Sequence, residues 1–335
     1  PQAAALTLIA WSGVEFAEGY KKAGQWDQLL DMIKWGTDYF IKCHSAKNVL
    51  YVQVGDGTTD HSFWYPPEYI NYKYPSYKID EKGPGSEVAA ETAAALAAAS
   101  LVFKEDDSAY SATLLKHAIE IYDFADKFRG DYCQTVPANA FYNSFSGYRD
   151  ELAWGAMWLY KVTGEEEYLS KYKEIADAEY LPHDMKKFTG CTGPISWDDK
   201  RPGAYILSAV VTKDEKRMKE AIEYCDGIIS APKTAGGLWY DKNLSLWASN
   251  RYAANAASVC AVLAKNLPEG DSKRKAYIEF TKSQIDYILG DNPAGINYVV
   301  GAEDNSPKSV HHRAASGVFD SSDKNAKPEF NVYTL

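Results

Sequence analysis

The chain of 335 residues contains no uninterrupted run of 18 or more apolar residues, the length that a membrane-spanning helix requires. The nearest approach is AAETAAALAAASLVF (89–103), which is interrupted by Glu91 and Thr92. An alanine-rich segment with two polar positions is typical of a helix buried inside a globular protein. We therefore predict a buried helix here and no contact with a membrane.

Positive charge is also in short supply. The 36 Lys and Arg residues are outnumbered by 46 Asp and Glu residues, which gives a formal net charge of −10. Proteins that bind nucleic acid need a basic surface to meet the phosphates. The charge balance therefore excludes nucleic acid as the expected partner.

Cysteine is sparse, and its spacing matches no zinc-binding motif. The five cysteines lie far apart in the sequence, at Cys43, Cys133, Cys191, Cys225 and Cys260. They permit one or two disulfides and do not define a redox compartment. Alternation of apolar and polar residues is also rare, and predicts strands only at 49–57 and 296–302.

Amphipathic helical periodicity dominates the chain instead. It predicts ten helices, at 3–22, 26–44, 86–104, 107–129, 148–163, 165–180, 201–211, 214–230, 247–266 and 271–290. Short connections at 24–25, 105–107, 163–165 and 212–214 alternate with long ones at 45–85, 130–147, 181–200 and 231–246, and a tail follows from 291. Short loops join antiparallel neighbours. This alternation predicts an all-α toroid of helical hairpins with its long loops on one face; a simple bundle or a solenoid is the competing interpretation.

The long loops combine aromatic rings with hydrogen-bonding side chains. Aromatic residues make up 14% of the chain, with 25 Tyr and 9 Trp. Loop segments such as QVGDGTTDHSFWYPPEY, FYNSFSGY and ILGDNPAGINYVVGAEDNSPKSVHHRAASG combine Trp, Tyr or Phe with Asp, Asn, Arg or His. Flat rings with polar edges suit the faces of sugars. A cleft of this composition favours a polysaccharide over a small apolar ligand.

Seven segments, in order along the whole chain, resemble the family 9 glycoside hydrolases, which are mostly endo-β-1,4-glucanases. They are YVQVGDGTTDH, PGSEVAAETAAALAAAS, YNSFSGYRDELAWGAMWLYKVTG, SWDDK, LWASNRYAANAA, YILGDNPAGINYVVG and VHHR. The resemblance implies an (α/α)6 barrel with about ten of its twelve helices present, as one catalytic-type domain over 1–335. It also implies endo-acting, inverting hydrolysis of β-1,4-glucosidic bonds in cellulose or a related soluble β-glucan.

The resemblance assigns roles to particular loop residues. His311 and Arg313, in the HHR segment, would bond the sugar at the cleavage point as catalytic-site residues. The further substrate-binding residues would be His61, Trp64, Tyr142, Trp197, Trp247, Arg251, Tyr252 and His312. Trp247 and Tyr252 lie near a helix start, so a place in the core is the alternative for both.

The segments SFSGYRDE and SWDDK resemble a structural calcium site of the same family. The implied oxygen ligands come from Ser146, Gly147, Asp150 and Glu151, together with either Asp198 or Asp199. Calcium binds six to eight hard oxygen atoms, which this set can provide. The alternative is that Asp150 and Glu151 simply begin a helix, where the helix dipole stabilises negative charge.

The family's two proton-transfer residues are not found among these 335 residues. The base is an aspartate in an Asp-Ala-Gly-Asp motif, expected upstream of Pro1, and the acid is a glutamate, expected downstream of Leu335. No spacing singles out a substitute pair among the loop acids Asp56, Asp60, Glu68 and Asp304. The sequence therefore predicts a domain truncated at both ends.

Two other classes of protein stay open. One is a catalytically inactive glucan-binding relative that keeps the aromatic cleft. The other is a different toroid enzyme, such as a sugar epimerase, a polysaccharide lyase or a terpenoid cyclase, although a lyase that acts on uronates needs a basic cleft. For the glucanase we expect a monomer without organic cofactor that is secreted or acts in a gut lumen, because its polysaccharide substrate is found there.

Overall fold

The computed structural model describes residues 1–62, 70–178, 193–310 and 312, and all ten predicted helices are confirmed within them. The helices are α1 (Gln2–Lys22), α2 (Trp26–Cys43), α3 (Gly57–His61), α4 (Ser86–Phe103), α5 (Ser108–Lys127), α6 (Asn139–Tyr142), α7 (Arg149–Thr163), α8 (Glu166–Ala176), α9 (Arg201–Thr212), α10 (Glu215–Ser230), α11 (Ser249–Lys265) and α12 (Ser272–Ile288). The short helices α3 and α6 lie in predicted loops and were missed, because four or five residues carry almost no periodicity.

A two-stranded antiparallel sheet joins β1 (Leu50–Val54) to β2 (Ser76–Ile79), with Leu50 opposite Ile79. The first strand confirms the prediction at 49–57. The second was not predicted, because four residues with only one buried side chain give no clear alternation.

The strand predicted at 296–302 is wrong. Asparagine side chains capture the backbone there: Asn292 donates to the Ile296 carbonyl and accepts from the Ile296 amide, and Asn297 accepts from the Val299 amide. These local side-chain bonds offer the backbone an alternative to a strand ladder. The segment is therefore an irregular loop despite its β-branched residues.

The long helices form five hairpins: α1 with α2, α4 with α5, α7 with α8, α9 with α10, and α11 with α12. The first helix of each hairpin also packs against the first helix of the next, in the order α1, α4, α7, α9 and α11. This arrangement makes an inner layer of five helices and an outer layer of their partners. It is the toroidal arrangement that the alternating loop lengths predict.

Helix α4 lies at the centre of this arrangement and packs against α1, α5 and α7. Eight of its 18 residues are alanine, which favours helix and lets neighbouring helices approach closely. Its length and its mean hydropathy of 1.3 would suit a membrane span, but 89% of its residues are buried inside the protein. The prediction of a buried helix at this position is confirmed.

Three indole rings fill the core between α1 and α7. Trp11, Trp154 and Trp158 meet edge to face, with ring centroids 5.3–5.8 Å apart, and none is more than 2% exposed. Aromatic pairs in this geometry add about 0.5–1.5 kcal/mol beyond the burial of their surface. The cluster fixes the distance between the first and third inner helices.

We expect the substitution Trp158→Ala to lower the free energy of unfolding by about 3–5 kcal/mol, because it leaves a large cavity beside two other indoles. Guanidinium unfolding followed by far-UV circular dichroism measures the change. The matched control is Trp35→Ala, because Trp35 is 75% exposed on α2 and its loss should change stability by less than about 0.5 kcal/mol. Equal effects of the two substitutions would contradict this account of the core.

Candidate functional site

A cavity of about 540 Å³ opens where the sheet, α3 and the loops after α5 meet the N-terminal end of α4. Its walls combine aromatic rings with carboxylates. The residues that line it include Gln53, Asp56, Asp60, His61, Tyr74, Glu87, Glu91, Tyr132, Phe141, Tyr142, Glu151, Trp197 and Asp198. This volume suits a ligand of a few sugar rings.

Aromatic rings from three separate segments form one wall. Tyr142 meets Trp197 edge to face at 5.4 Å, and the exposed ring of Phe145 approaches Trp197 at 6.4 Å. The rings of His61 and Phe141, which also line the cavity, lie 4.4 Å apart. Residues that are distant in sequence thus meet at one face, as the clustering of aromatic loops predicts.

Gly57 makes the contact between α3 and α6 possible. A Cβ atom at this position would lie 2.4 Å from the Phe141 ring, which is closer than real contacts allow. The ring therefore packs directly over the first turn of α3. This packing holds the imidazole of His61 above Phe141, with His61 Nδ1 2.9 Å from the Gly57 carbonyl oxygen.

The floor of the cavity holds an unusual concentration of buried charge. The ammonium group of Lys200 lies 3.5 Å from Glu91 Oε2 and 3.7 Å from Glu151 Oε1, and it donates to the Ser196 carbonyl at 2.7 Å. Lys200 is only 1% exposed, and both carboxylates are nearly as buried. Although burial alone lowers the pKa of Lys200, the facing carboxylates Glu91 and Glu151 raise it above its ordinary value. One cation therefore compensates two acids that belong to different inner helices.

Burial raises the pKa of several carboxyls near this floor. It raises the pKa of Glu87 to about 8, although Glu87 Oε1 accepts a hydrogen bond from the Tyr132 amide at 2.8 Å. The pKa of Glu151 lies well above its usual range, because of burial and then the negative charge of Asp150. One carboxyl oxygen on each of Glu87, Glu91, Asp150 and Glu151 is buried without a hydrogen-bond partner among the described residues. Among the described side chains here, carboxyl groups outnumber ammonium groups.

The two segments with the predicted calcium ligands do come together. The Ser146 hydroxyl donates to Asp150 Oδ2 at 3.2 Å and to the Asp198 carbonyl at 2.6 Å, and the Ser146 amide donates to Asp198 Oδ1. Asp150 Oδ2 also accepts from the Lys200 amide at 2.7 Å. Gly147 reverses the chain just before α7 with a φ of +83°, a conformation that favours glycine.

Two of the predicted ligands face other partners. Asp199 forms a two-bond ion pair with the Arg201 guanidinium, and the Glu151 carboxylate faces Lys200 at the cavity floor. The oxygen atoms that remain are those of Ser146, Asp150 and Asp198, together with the Gly147 carbonyl, which accepts from the Ser144 hydroxyl. Asp150 and Glu151 also occupy the first turn of α7, as the alternative reading from the helix dipole expected.

The predicted substrate-binding residues divide into three groups. His61, Tyr142 and Trp197 meet at the cavity. Tyr252 is only 7% exposed on α11, in agreement with the core position that was its alternative, and the Arg251 guanidinium lies 4.6 Å from its ring centroid. The Trp247 side chain is 71% exposed and does not line this cavity, so the substrate-binding roles of these three residues stay predictions. His312 is exposed, while Trp64, His311 and Arg313 lie outside the described residues.

Sequence reasoning missed the buried charges of Glu87, Glu91 and Lys200. One signal for them was present: an alanine-rich buried helix that carries glutamates must supply those carboxylates with partners. The identity of the partner could not be read from the pattern. Lys200 lies 109 positions after Glu91 in the sequence, and only the folded chain brings them together.

Similarity to known proteins identifies the class of protein to which this chain belongs. The chain is 44% identical to Endoglucanase A of Bacillus pumilus over 348 aligned positions. The alignment covers all of this chain and 51% of that protein. It is 45% identical to Endoglucanase B of Cellulomonas fimi, over 95% of this chain and 30% of that protein. The chain thus spans about half the length, or less, of these curated relatives.

Solved structures agree. An endoglucanase of the termite Nasutitermes takasagoensis superposes with a TM-score of 0.85 at 39% identity, over 94% of this chain and 69% of that one. The cellulase Cel9M of C. cellulolyticum, solved in complex with cellobiose, gives a TM-score of 0.84 at 34% identity, over 98% and 73% of the two chains. The predicted (α/α)6 barrel class is confirmed.

These similarities make the chain a glycoside hydrolase domain. The model of glycosyl hydrolase family 9 matches residues 1–334. The chain therefore belongs to family 9, and the resemblance drawn from its seven segments is confirmed.

We expect Lys200→Met to destabilise the fold by on the order of 3 kcal/mol, because it leaves buried carboxylates without their cation. Adding Glu151→Gln to this variant should recover part of the loss, since a neutral amide replaces one of the two buried acids that face the ammonium group. Denaturant unfolding of the single and double variants measures both effects. The control Lys219→Met removes a 77% exposed lysine and should change little. A loss below about 1 kcal/mol for Lys200→Met would contradict the role of this ammonium.

Proposed function

We propose that this domain hydrolyses internal β-1,4-glucosidic bonds in cellulose or a related β-glucan with inversion at the anomeric carbon. The observation that carries the proposal is the cavity walled by Tyr142, Trp197 and His61 in a chain of family 9. Relatives named endoglucanase and a family structure bound to cellobiose support a β-glucan as the substrate.

The aromatic wall accounts for binding and orientation of the sugar. Pyranose faces are apolar, and the Trp197 and Tyr142 rings offer them flat surfaces. The polar groups of Gln53 and His61, which also line the cavity, are available to bond equatorial hydroxyls. A wall built from three chain segments orients successive glucose units along one direction, which favours cleavage within a polymer.

Hydrolysis with inversion needs a general base and a general acid about 6.5–9.5 Å apart. The buried floor acids do not suit this work, because Glu91 is held by Thr7 at 2.7 Å and by Lys200, and Glu87 is held by the Tyr132 amide. We assign the two proton transfers, by resemblance, to the family's motif aspartate and motif glutamate. The residues of this chain then bind, orient and desolvate the sugar, with His311 and Arg313 proposed to bond the ring at the cleavage point.

We expect Trp197→Ala to weaken binding of a cello-oligosaccharide about tenfold, since a buried stacking contact of this kind contributes ~1.4 kcal/mol. Isothermal titration with cellopentaose measures the affinity. Reducing-sugar release from carboxymethylcellulose, with the anomer of the product followed by proton NMR, measures the reaction in a preparation that also carries the family's motif aspartate and motif glutamate.

The matched control is Trp35→Ala, because this indole is exposed on α2 outside the cavity. The proposal predicts full binding and hydrolysis for this control. Binding without sugar release in the parent protein would favour the inactive glucan-binding class. A product of retained configuration, or unchanged affinity in Trp197→Ala, would contradict the mechanism and the site respectively.

We also propose a structural calcium ion between the 146–150 and 198–199 segments, held by oxygens of Ser146, Gly147, Asp150 and Asp198. Its support is the buried Asp150 Oδ1, which has no hydrogen-bond partner among the described residues, close to the carboxyl groups of Asp198 and Asp199. Carboxylate, carbonyl and hydroxyl oxygens are the donors that calcium prefers. A bound cation would supply the charge that the loops need to close against α7.

We expect calcium to raise the melting temperature of the parent protein by at least about 2 °C relative to EGTA, and to have no such effect on Asp150→Asn. The carboxylate charge is lost in this variant while its shape is kept. Differential scanning calorimetry in both solutions measures the difference. The control Asp177→Asn weakens the ion pairs of Asp177 with Lys216 and with the buried Arg217, outside the proposed site, and should keep the response. A parent that melts identically in calcium and EGTA would argue against the site.

The substrate class implies the place of action. Cellulose and large β-glucans are found outside cells or in a gut lumen, so we propose a secreted protein. We further propose that it acts as a monomer, since a single chain forms the whole cavity described above.

A further inference from the structure

Two histidines and a glutamate meet outside the cavity, on the outer layer of the toroid. His44 follows the last residue of α2, and His117 and Glu120 lie one turn apart on α5. One potential ligand atom from each residue lies within 4.8 Å of those of the other two. None of the three lines the cavity.

The ring of His44 is already oriented as a metal-binding histidine. Its Nε2 lies 3.3 Å from the Lys47 carbonyl oxygen, which can only accept a hydrogen bond, so the proton of the neutral ring sits on Nε2. The lone pair of Nδ1 then points at His117 Nδ1, 2.8 Å away. Histidines that bind metals commonly donate their other ring nitrogen to a carbonyl in this way.

Glu120 completes the set of donors. No hydrogen bond or ion pair joins its carboxylate to another side chain in the part of the chain that the structure describes, although it is partly buried beside His117. Residues three apart on a helix share one face, so its carboxylate and the His117 imidazole project together. A carboxylate that is not otherwise engaged beside two imidazoles is a typical zinc ligand set.

We propose that His44 Nδ1, His117 Nδ1 and a Glu120 oxygen bind a divalent transition-metal ion, with Zn²⁺ as the best fit. Two imidazoles and one carboxylate suit zinc, and water would take the fourth position. Tetrahedral zinc separates two nitrogen ligands by roughly 3.3 Å, so the rings need to part by only about half an ångström. The His117 proton moves to its Nε2 as the metal displaces the contact between the two Nδ1 atoms.

The ion would link the C-terminal end of α2 to the middle of α5. These helices belong to different hairpins, and near the start of α5 they are already joined by Tyr110, which contacts Thr37 and Asp38 of α2. The chain after His44 leads into β1 at the edge of the cavity. A metal at this position would hold the start of the cavity-forming loop against the outer layer. The proposal does not depend on the hydrolytic reaction.

Zinc binding is the direct test. The protein, freed of metal and kept in excess calcium, is titrated with Zn²⁺ against a chromophoric chelator and, separately, with Co²⁺ to record its visible absorption. We expect one equivalent of zinc and the absorption bands of low-symmetry, four-coordinate cobalt. His117→Gln keeps a hydrogen-bonding group for His44 but removes the imidazole, so affinity should fall by at least about tenfold while the circular dichroism spectrum stays unchanged.

Two further variants separate this site from adventitious binding. Glu120→Gln should also weaken zinc binding, because it removes the anionic ligand. His61→Gln removes a distant exposed imidazole and should not change the affinity. Absence of a tight equivalent in the parent, an affinity unaffected by His117→Gln, or an equal loss in His61→Gln would each overturn the proposal.

Discussion

The buried ammonium group of Lys200 is the interaction on which the cavity depends. It stands between carboxylates from α4 and α7, and its own backbone amide holds Asp150 at the start of α7. Buried acids are costly unless a cation or hydrogen bonds compensate them. Lys200 supplies both the cation and a backbone hydrogen bond. The inner helices can therefore place acidic side chains at the floor of the cavity.

The same residue connects two sites that are otherwise separate. Asp150 faces the proposed calcium loops, while its neighbour Glu151 faces the cavity floor, so adjacent positions in one helical turn serve different neighbours. Trp197 in the aromatic wall directly precedes Asp198, whose carboxylate accepts from the Phe145 amide at 2.7 Å. The loops that would hold a cation are therefore the loops that carry the rings.

The helices and their pairing into hairpins could be predicted from the sequence, because the patterns that define them are local and recur along the chain. Helical periodicity over ten long segments defines the helices, and the alternation of loop lengths defines the hairpins. Side-chain partners are a different matter. The ion pair of Lys200 with Glu91 and the burial of Tyr252 depend on packing between helices, which no periodic pattern encodes. Likewise, the β-branched residues at 296–302 favour a strand, but the side-chain oxygens of Asn292 and Asn297 accept hydrogen bonds from backbone amides of this segment, which are then not available to a strand partner.

The indole cluster of Trp11, Trp154 and Trp158 gives this fold a built-in optical reporter. Rings held 5.3–5.8 Å apart at fixed angles couple their electronic transitions, so they contribute strongly to the near-ultraviolet dichroism. Trp35 and Trp247, which are both more than two-thirds exposed, contribute emission that a dissolved quencher can reach. Near-ultraviolet dichroism thus reports the alignment of α1 with α7, and quenching reports the protein surface, so the core and the surface of the same barrel can be followed without any added label.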